Sequence, residues 1–111
     1  MLFCLTAQYT PAALNAIMEN PTASRAEAIK KLLEAAGGKL VSMYSTVAEG
    51  PGVMVIFDVP DPGMAPAISG VAVSGGAVQN LKLMRLLTQE EVVVVRQNAQ
   101  KIRGAYKAPG K

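Results

Sequence analysis

An α+β fold, with four strands in one sheet and helices on one of its faces, is what this 111-residue chain predicts, on three observations. Apolar runs of strand length alternate with segments of helical spacing. Glycine and proline, not a helix, separate the second and third runs. The resulting order is strand, helix, strand, strand, helix, strand, then a terminal helix. A hairpin flanked by two strand–helix units is the ferredoxin-like βαββαβ plait, a four-stranded antiparallel sheet.

Leu2 to Gln8 is the first strand by length and apolar content. Thr10 caps the helix behind it, and Pro11 takes the first helical position, where a missing N–H costs nothing. Asn20-Pro21 stops or kinks that helix. Ser24-Arg25-Ala26-Glu27 has the form of a capping box, Ile29, Leu32, Leu33 and Ala36 follow at helical spacing, and Gly37-Gly38 ends the run. Residues 11–36 are thus one kinked helix or two short ones. Leu40 to Val47 reads as the second strand and Val53 to Val59, rich in β-branched residues, as the third. Glu49-Gly50-Pro51-Gly52 joins them in a hairpin. Asp61-Pro62 opens a small-residue helix through Ala65, Ile68, Val71 and Ala72, closed by Gly75-Gly76, and Val78 to Leu87 is the fourth strand. Thr88-Gln89-Glu90-Glu91 is another capping box. Four successive valines favour a strand locally, but Val92, Val95, Ala99 and Ile102 keep helical spacing, so a helix is expected. Residues 1–103 form a single domain and 104–111 a flexible basic tail.

Composition excludes whole classes of chemistry. The chain has no histidine and one cysteine, Cys4. Ser-His-Asp and Cys-His arrangements, imidazole metal sites, thiolate zinc clusters and internal disulfides are therefore ruled out. The carboxylates are scattered, so neither a metal nor a cofactor is expected. Charged residues interrupt every apolar stretch before the roughly 18 residues of a membrane span, and Met1 to Ala7 lacks the basic start of a secretory signal. A cytoplasmic protein with no membrane partner is expected. Residues 1–77 carry four basic and six acidic side chains, and residues 78–111 carry seven basic and two acidic.

Strand alternation divides the sheet into two faces. Phe3, Leu5, Ala7, Val41, Met43, Val53, Val55, Phe57, Leu81 and Leu83 form an apolar set suited to lie under the helices. The opposite set mixes Cys4, Thr6, Gln8, Ser42, Tyr44, Thr46, Met54, Ile56, Asp58, Asn80, Lys82 and Met84. That face is too apolar to sit bare in water and too polar for an ordinary core. The expectation is a homodimer, or a higher even oligomer, whose facing sheets leave a partly polar cavity.

The stretches Ser24-Arg25-Ala26-Glu27-Ala28-Ile29-Lys30-Lys31-Leu32, Gly37-Gly38-Lys39-Leu40, Met43-Tyr44-Ser45-Thr46 and Val53 to Asp61, with its Val-Pro-Asp ending, resemble the GYD-domain family over roughly residues 2–100. The resemblance implies a small ferredoxin-like protein of dimeric α/β-barrel type, in a family mostly without assigned activity. Where the family shows Gly-Glu-Tyr-Asp in the hairpin, this chain reads Ala48-Glu49-Gly50-Pro51-Gly52 and keeps only the glutamate.

The candidate ligand-binding residues are Tyr44, Glu49, Met54, Asp58, Lys82, Cys4 and Thr6. Each has a functional and a plainer reading. Cys4 is a nucleophile if a cation such as Lys82 stabilises its thiolate, and otherwise a small buried hydrophobe. Asp58 and Lys82 either bind a polar substrate or form a salt bridge across a dimer. Tyr44 stacks on a ligand and donates its phenol, or packs at the interface. Glu49 is a general base on a glycine-rich loop, or a solvated loop residue. A small organic ligand, held between sheet and helices or between two sheets, fits this set. Similar plait dimers include cofactor-free isomerases and monooxygenases, and that likeness implies proton transfer on a modestly apolar molecule, or its oxygenation, with Glu49, Asp58, Tyr44 and Lys82 as acid, base or stabilising groups. The rival readings are a non-catalytic self-associating or regulatory module, and a weak nucleic-acid binder through the basic C-terminal segment. The last lacks the stacking aromatics of an RNA-recognition sheet.

Overall fold

The computed structural model describes residues 1–47 and 50–111. Its elements are β1 (Leu2–Tyr9), α1 (Pro11–Glu19), α2 (Ala26–Ala35), β2 (Lys39–Thr46), β3 (Gly52–Asp58), α3 (Met64–Ser74), β4 (Val78–Leu86) and α4 (Gln89–Ile102), followed by a 3-10 turn over Arg103–Ala105. One sheet has the strand order β2-β3-β1-β4, with every neighbouring pair antiparallel. This is the ferredoxin-like order expected from the sequence.

The local signals act largely as their chemistry dictates. The Thr10 hydroxyl accepts from the Ala13 N–H at 3.2 Å and donates to the Gly76 carbonyl at 2.8 Å. One side chain thereby caps α1 and ties it to the end of α3. Asn20-Pro21 separates α1 from α2, so the 11–36 segment is two helices. The capping box expected at Ser24 does not form. The α2 cap is Arg25, with no side-chain bond; the Ser24 hydroxyl accepts from Ala26 N–H, one residue too early, and Glu27 leans toward Lys30 instead. The end of α2 is a Schellman turn. Gly37 donates to Glu34 and Gly38 to Leu33, which requires the left-handed backbone of Gly37, φ 77°.

Phe3, Leu5, Ala7, Val53, Val55 and Phe57 lie buried on one face of the sheet against Leu33 of α2 and Ala65 and Ile68 of α3. Phe3 and Phe57 stack at a centroid distance of 5.8 Å. Two irregularities move residues that simple alternation misplaces. A bulge in β2 between Leu40 and Ser42 lets Leu40 and Met43 both pack on the core. Val41 is turned out, 52% exposed, and does not join the helix-covered set as expected. A second bulge separates the Thr6 and Gln8 pairings of β1 with β4, and Asn80 there adopts φ 52°, a left-handed backbone that asparagine tolerates better than most residues. Val71 of α3, expected on the packed stripe, is exposed.

At α4 the Thr88 capping box is complete. Thr88 N–H donates to Glu91 Oε1, and Glu91 N–H donates to Thr88 Oγ1, each at 3.1 Å. Arg85 of β4 adds an ion pair to Glu91 at 3.5 Å. Yet no residue of α4 is buried. The helix does not roof the sheet. The radius of gyration, 17.7 Å, exceeds the about 13 Å of a compact chain this long.

Two outcomes follow from this packing. Phe57 is fully enclosed, so Phe57→Ala lowers unfolding free energy by about 3–5 kcal/mol in a denaturant melt; a loss under about 1 kcal/mol would contradict the core described. The Glu91 carboxyl is held below its ordinary 4.5, chiefly by the Thr88 backbone N–H, with the Thr88 hydroxyl and Arg85 assisting. A lowered folded pKa means that its contribution is complete above 4.5, the ordinary value, and is lost as the pH falls below that through the lower folded value. The melting temperature of wild type therefore falls more steeply on acidification than that of Glu91→Gln, whereas parallel curves would show that the cap carries no linkage.

Candidate functional site

On the uncovered face of the sheet, three strands align Met54 of β3, Thr6 of β1 and Lys82 of β4 in one row, because Thr6 is the register partner of both others. This row is the floor of a groove of about 530 Å³, bordered further by Ala7, Gln8, Thr46, Gly50 and Asn80. Neighbouring side chains on a strand alternate faces, so Thr6 and Gln8 rise together from β1. Asn80, turned by the β4 bulge, donates to Gln8 Oε1 at 2.8 Å. At the rim, Gly52 lets β3 approach β1 closely: a Cβ there would sit 2.1 Å from the Ala7 carbonyl oxygen.

The chemistry of the groove is that of a mixed pocket. One end offers an ammonium, two amides and two hydroxyls, and Met54 supplies an adaptable apolar wall. Among the described residues Lys82 makes no ion pair, and no described lining residue is a carboxylate. Such a site suits an anionic or strongly hydrogen-bond-accepting group on a small, partly apolar molecule.

The structure brings together three of the residues singled out from sequence, Thr6, Met54 and Lys82, and disperses others. Asp58 lies at the opposite end of β3, level with Leu2 and Lys39. Its carboxylate accepts from the Met1 amino group at 2.7 Å, a bond that holds its pKa below the ordinary value. Lys82 pairs four residues further along β1, roughly 13 Å at strand rise, so Asp58 and Lys82 are not partners within a protomer. Tyr44 is the register partner of Met54 and so continues the row onto the edge strand β2, but it stands 62% exposed, beyond the residues that line the groove and bordering a second hollow with Met43, Arg25 and Tyr9. Glu49 lies outside the described residues. Cys4 belongs to this face, between Ile56 and Met84, but is only 6% exposed. It therefore fits its plainer reading as a small hydrophobe.

Gln8, Thr46 and Asn80 border the groove without having been singled out. Alternation had placed all three on this face, and their clustering at one end of it was the usable signal. The space between sheet and helices is a 40 Å³ apolar void, far below the roughly 300 Å³ of a small-molecule pocket. Of the two ligand positions expected from sequence, only the open face has room. The stacked Phe3–Phe57 pair lies on the helix side, which leaves Tyr44 as the one ring of the described open face and gives no base-stacking platform. Among the described residues no group of three or more His, Cys, Asp or Glu could hold a metal ion, and no helix is long and apolar enough to cross a membrane.

Cys4 burial predicts that a thiol reagent labels the native protein only at the rate at which it unfolds; rapid, complete labelling in buffer would place the thiol at the surface. In comparison with known proteins, the family model described as GYD domain matches residues 3–95, a span holding all of the sheet but Leu2, the first three helices and the first half of α4. No curated protein matches the chain.

Proposed function

The chain belongs to the GYD domain family, and on that premise we propose that it is a small-molecule-binding homodimer whose ligand lies on the open face of the sheet. The observation that carries this reading is the 530 Å³ groove floored by Met54, Thr6 and Lys82, on a face bearing half-exposed Met84 and half-buried Met54 and Ile56. Apolar side chains there favour a second sheet as cover. Once covered, two Lys82 ammonium groups would lose water, and an unpaired buried cation is costly. An anionic ligand resolves both demands: its head group meets Lys82 and the amides of Gln8 and Asn80, and its apolar body lies along Met54.

A catalytic extension is favoured by one feature. Gly50 borders the groove, and Glu49 precedes it in the chain. With Glu49 as base and Lys82 stabilising negative charge that develops on the ligand, the site would support cofactor-independent proton transfer. Oxygenation of a carbanion formed in this way is the same site's second outcome, with molecular oxygen as co-reactant. The plainer alternative is self-association without a ligand.

These readings separate by experiment. Light scattering at micromolar concentration should give twice the protomer mass. In a thermal-shift screen of small carboxylates and enolisable ketones, a true ligand at 100 times its Kd stabilises the fold by about 2.7 kcal/mol. Lys82→Met should then weaken the binding of the anion about 10- to 100-fold, while the ligand-free dimer, relieved of two buried cations, melts no lower than wild type. A hit indifferent to Lys82→Met removes the groove from consideration, and a dimer that answers no compound supports the assembly module. For any turnover found, Glu49→Gln should lower kcat and leave ligand affinity near its original value.

A further inference from the structure

We infer that the junction of α1 and α2 holds a second binding site, for a small aromatic carboxylate recognised by Arg25. The site shares no residue with the open-face groove and does not depend on dimerisation. Two hollows of about 320 and 340 Å³ lie at this junction, and Tyr9, Ile17, Ala23 and Arg25 line both. They are lobes of one depression with those four residues as its common wall. Each lobe by itself reaches the lower range of small-molecule sites.

The depression is a product of local sequence. Asn20-Pro21 ends α1 well before α2 begins at Ala26, and α1 itself buries no residue. Four of the residues lining the first lobe are the alanines Ala13, Ala16, Ala23 and Ala77, whose side chains are too short to fill the space that remains. Tyr9 and Ile17 complete an apolar lining, and the Tyr9 ring favours an aromatic partner.

Arg25 gives the depression its sign. Among the described residues it is the one charged group lining either lobe, and its guanidinium makes no ion pair. No structural role accounts for it. Arg25 stands at the cap of α2 without a side-chain bond, a position that serine, threonine, asparagine or aspartate fills better, and the helix dipole opposes a cation there. A carboxylate is the planar, two-oxygen anion that the guanidinium fork fits. The Ser24 hydroxyl accepts from the Ala26 N–H, which leaves its own proton to donate to the same anion. An aromatic acid answers the whole arrangement: its ring lies against Tyr9, Ile17 and the alanines, and its carboxylate meets Arg25.

The test uses the full chain, labelled with 15N and titrated with 2-naphthoate while its amide chemical shifts are followed. Saturable shifts are expected at Ala13, Ile17, Ala23 and Arg25. Arg25→Met removes a side chain that bonds to nothing in the fold, so the free protein keeps its spectrum elsewhere, and 2-naphthoate should bind at least about tenfold more weakly. Neutral 2-naphthamide should lose a similar factor against wild type. Ala23→Leu, which fills the lobe and keeps the charge, should also lower the affinity for 2-naphthoate. Shifts confined to Thr6, Met54 and Lys82 overturn this site and leave the groove standing. Affinity unchanged by Arg25→Met, or no saturable shift at the four residues with millimolar 2-naphthoate, overturns it as well. Saturable shifts there in a protomer-sized particle support this site and overturn the homodimer.

Discussion

A sheet has two faces, and this chain packs helices against one. Everything else in the molecule follows from that mismatch. Phe3, Leu5, Val55 and Phe57 are sealed beneath α2 and α3, while Cys4, Ile56 and Met84 point the other way from the same strands. The two central strands, β1 and β3, must serve both faces at once, and their outward positions set Cys4, Met54 and Ile56 among the polar Thr6, Gln8 and Asp58. The third layer that such strands call for is not built by this chain's own helices.

The groove exists because the uncovered face is not uniform. Its Cys4 end is filled by Ile56 and Met84, tightly enough to exclude solvent from a thiol that no helix covers. Its other end opens where the β4 bulge turns Asn80 and where Gly52 lets β3 close on β1. Backbone irregularity thus sets where a ligand has room, and the side chains near it decide which ligand. Lys82 gives that end its sign, and the Asn80–Gln8 bond orients the two amides toward each other.

Much of the fold was legible in the amino acids. Thr10-Pro11, Gly37-Gly38 and Thr88 to Glu91 mark helix ends by chemistry that acts within a few residues, and each is found where expected. Ser24 failed because a capping box needs the hydroxyl at the cap itself, and α2 begins one residue later with Arg25 as its cap. Val41 failed for a different reason: strict alternation assumes an unbroken ladder, and the β2 bulge adds a residue that shifts the parity of what precedes it. Of the site, Thr6, Met54 and Lys82 were legible as a set from face alone. That Asp58 and Lys82 sit four register pairs apart along β1 was not, since alternation assigns a face and says nothing of how strands slide past one another.

What the sequence determined by itself was the order of elements, the face strand residues take wherever the ladder is unbroken, and the absence of histidine chemistry. All three depend on residue identity and short-range backbone geometry. Register, the two bulges, the burial of Cys4 and the position of α4 away from the body were decided only by tertiary structure. Each of these depends on distances between segments far apart in the chain, where the energy of packing one strand or helix against another outweighs what any single stretch of residues prefers.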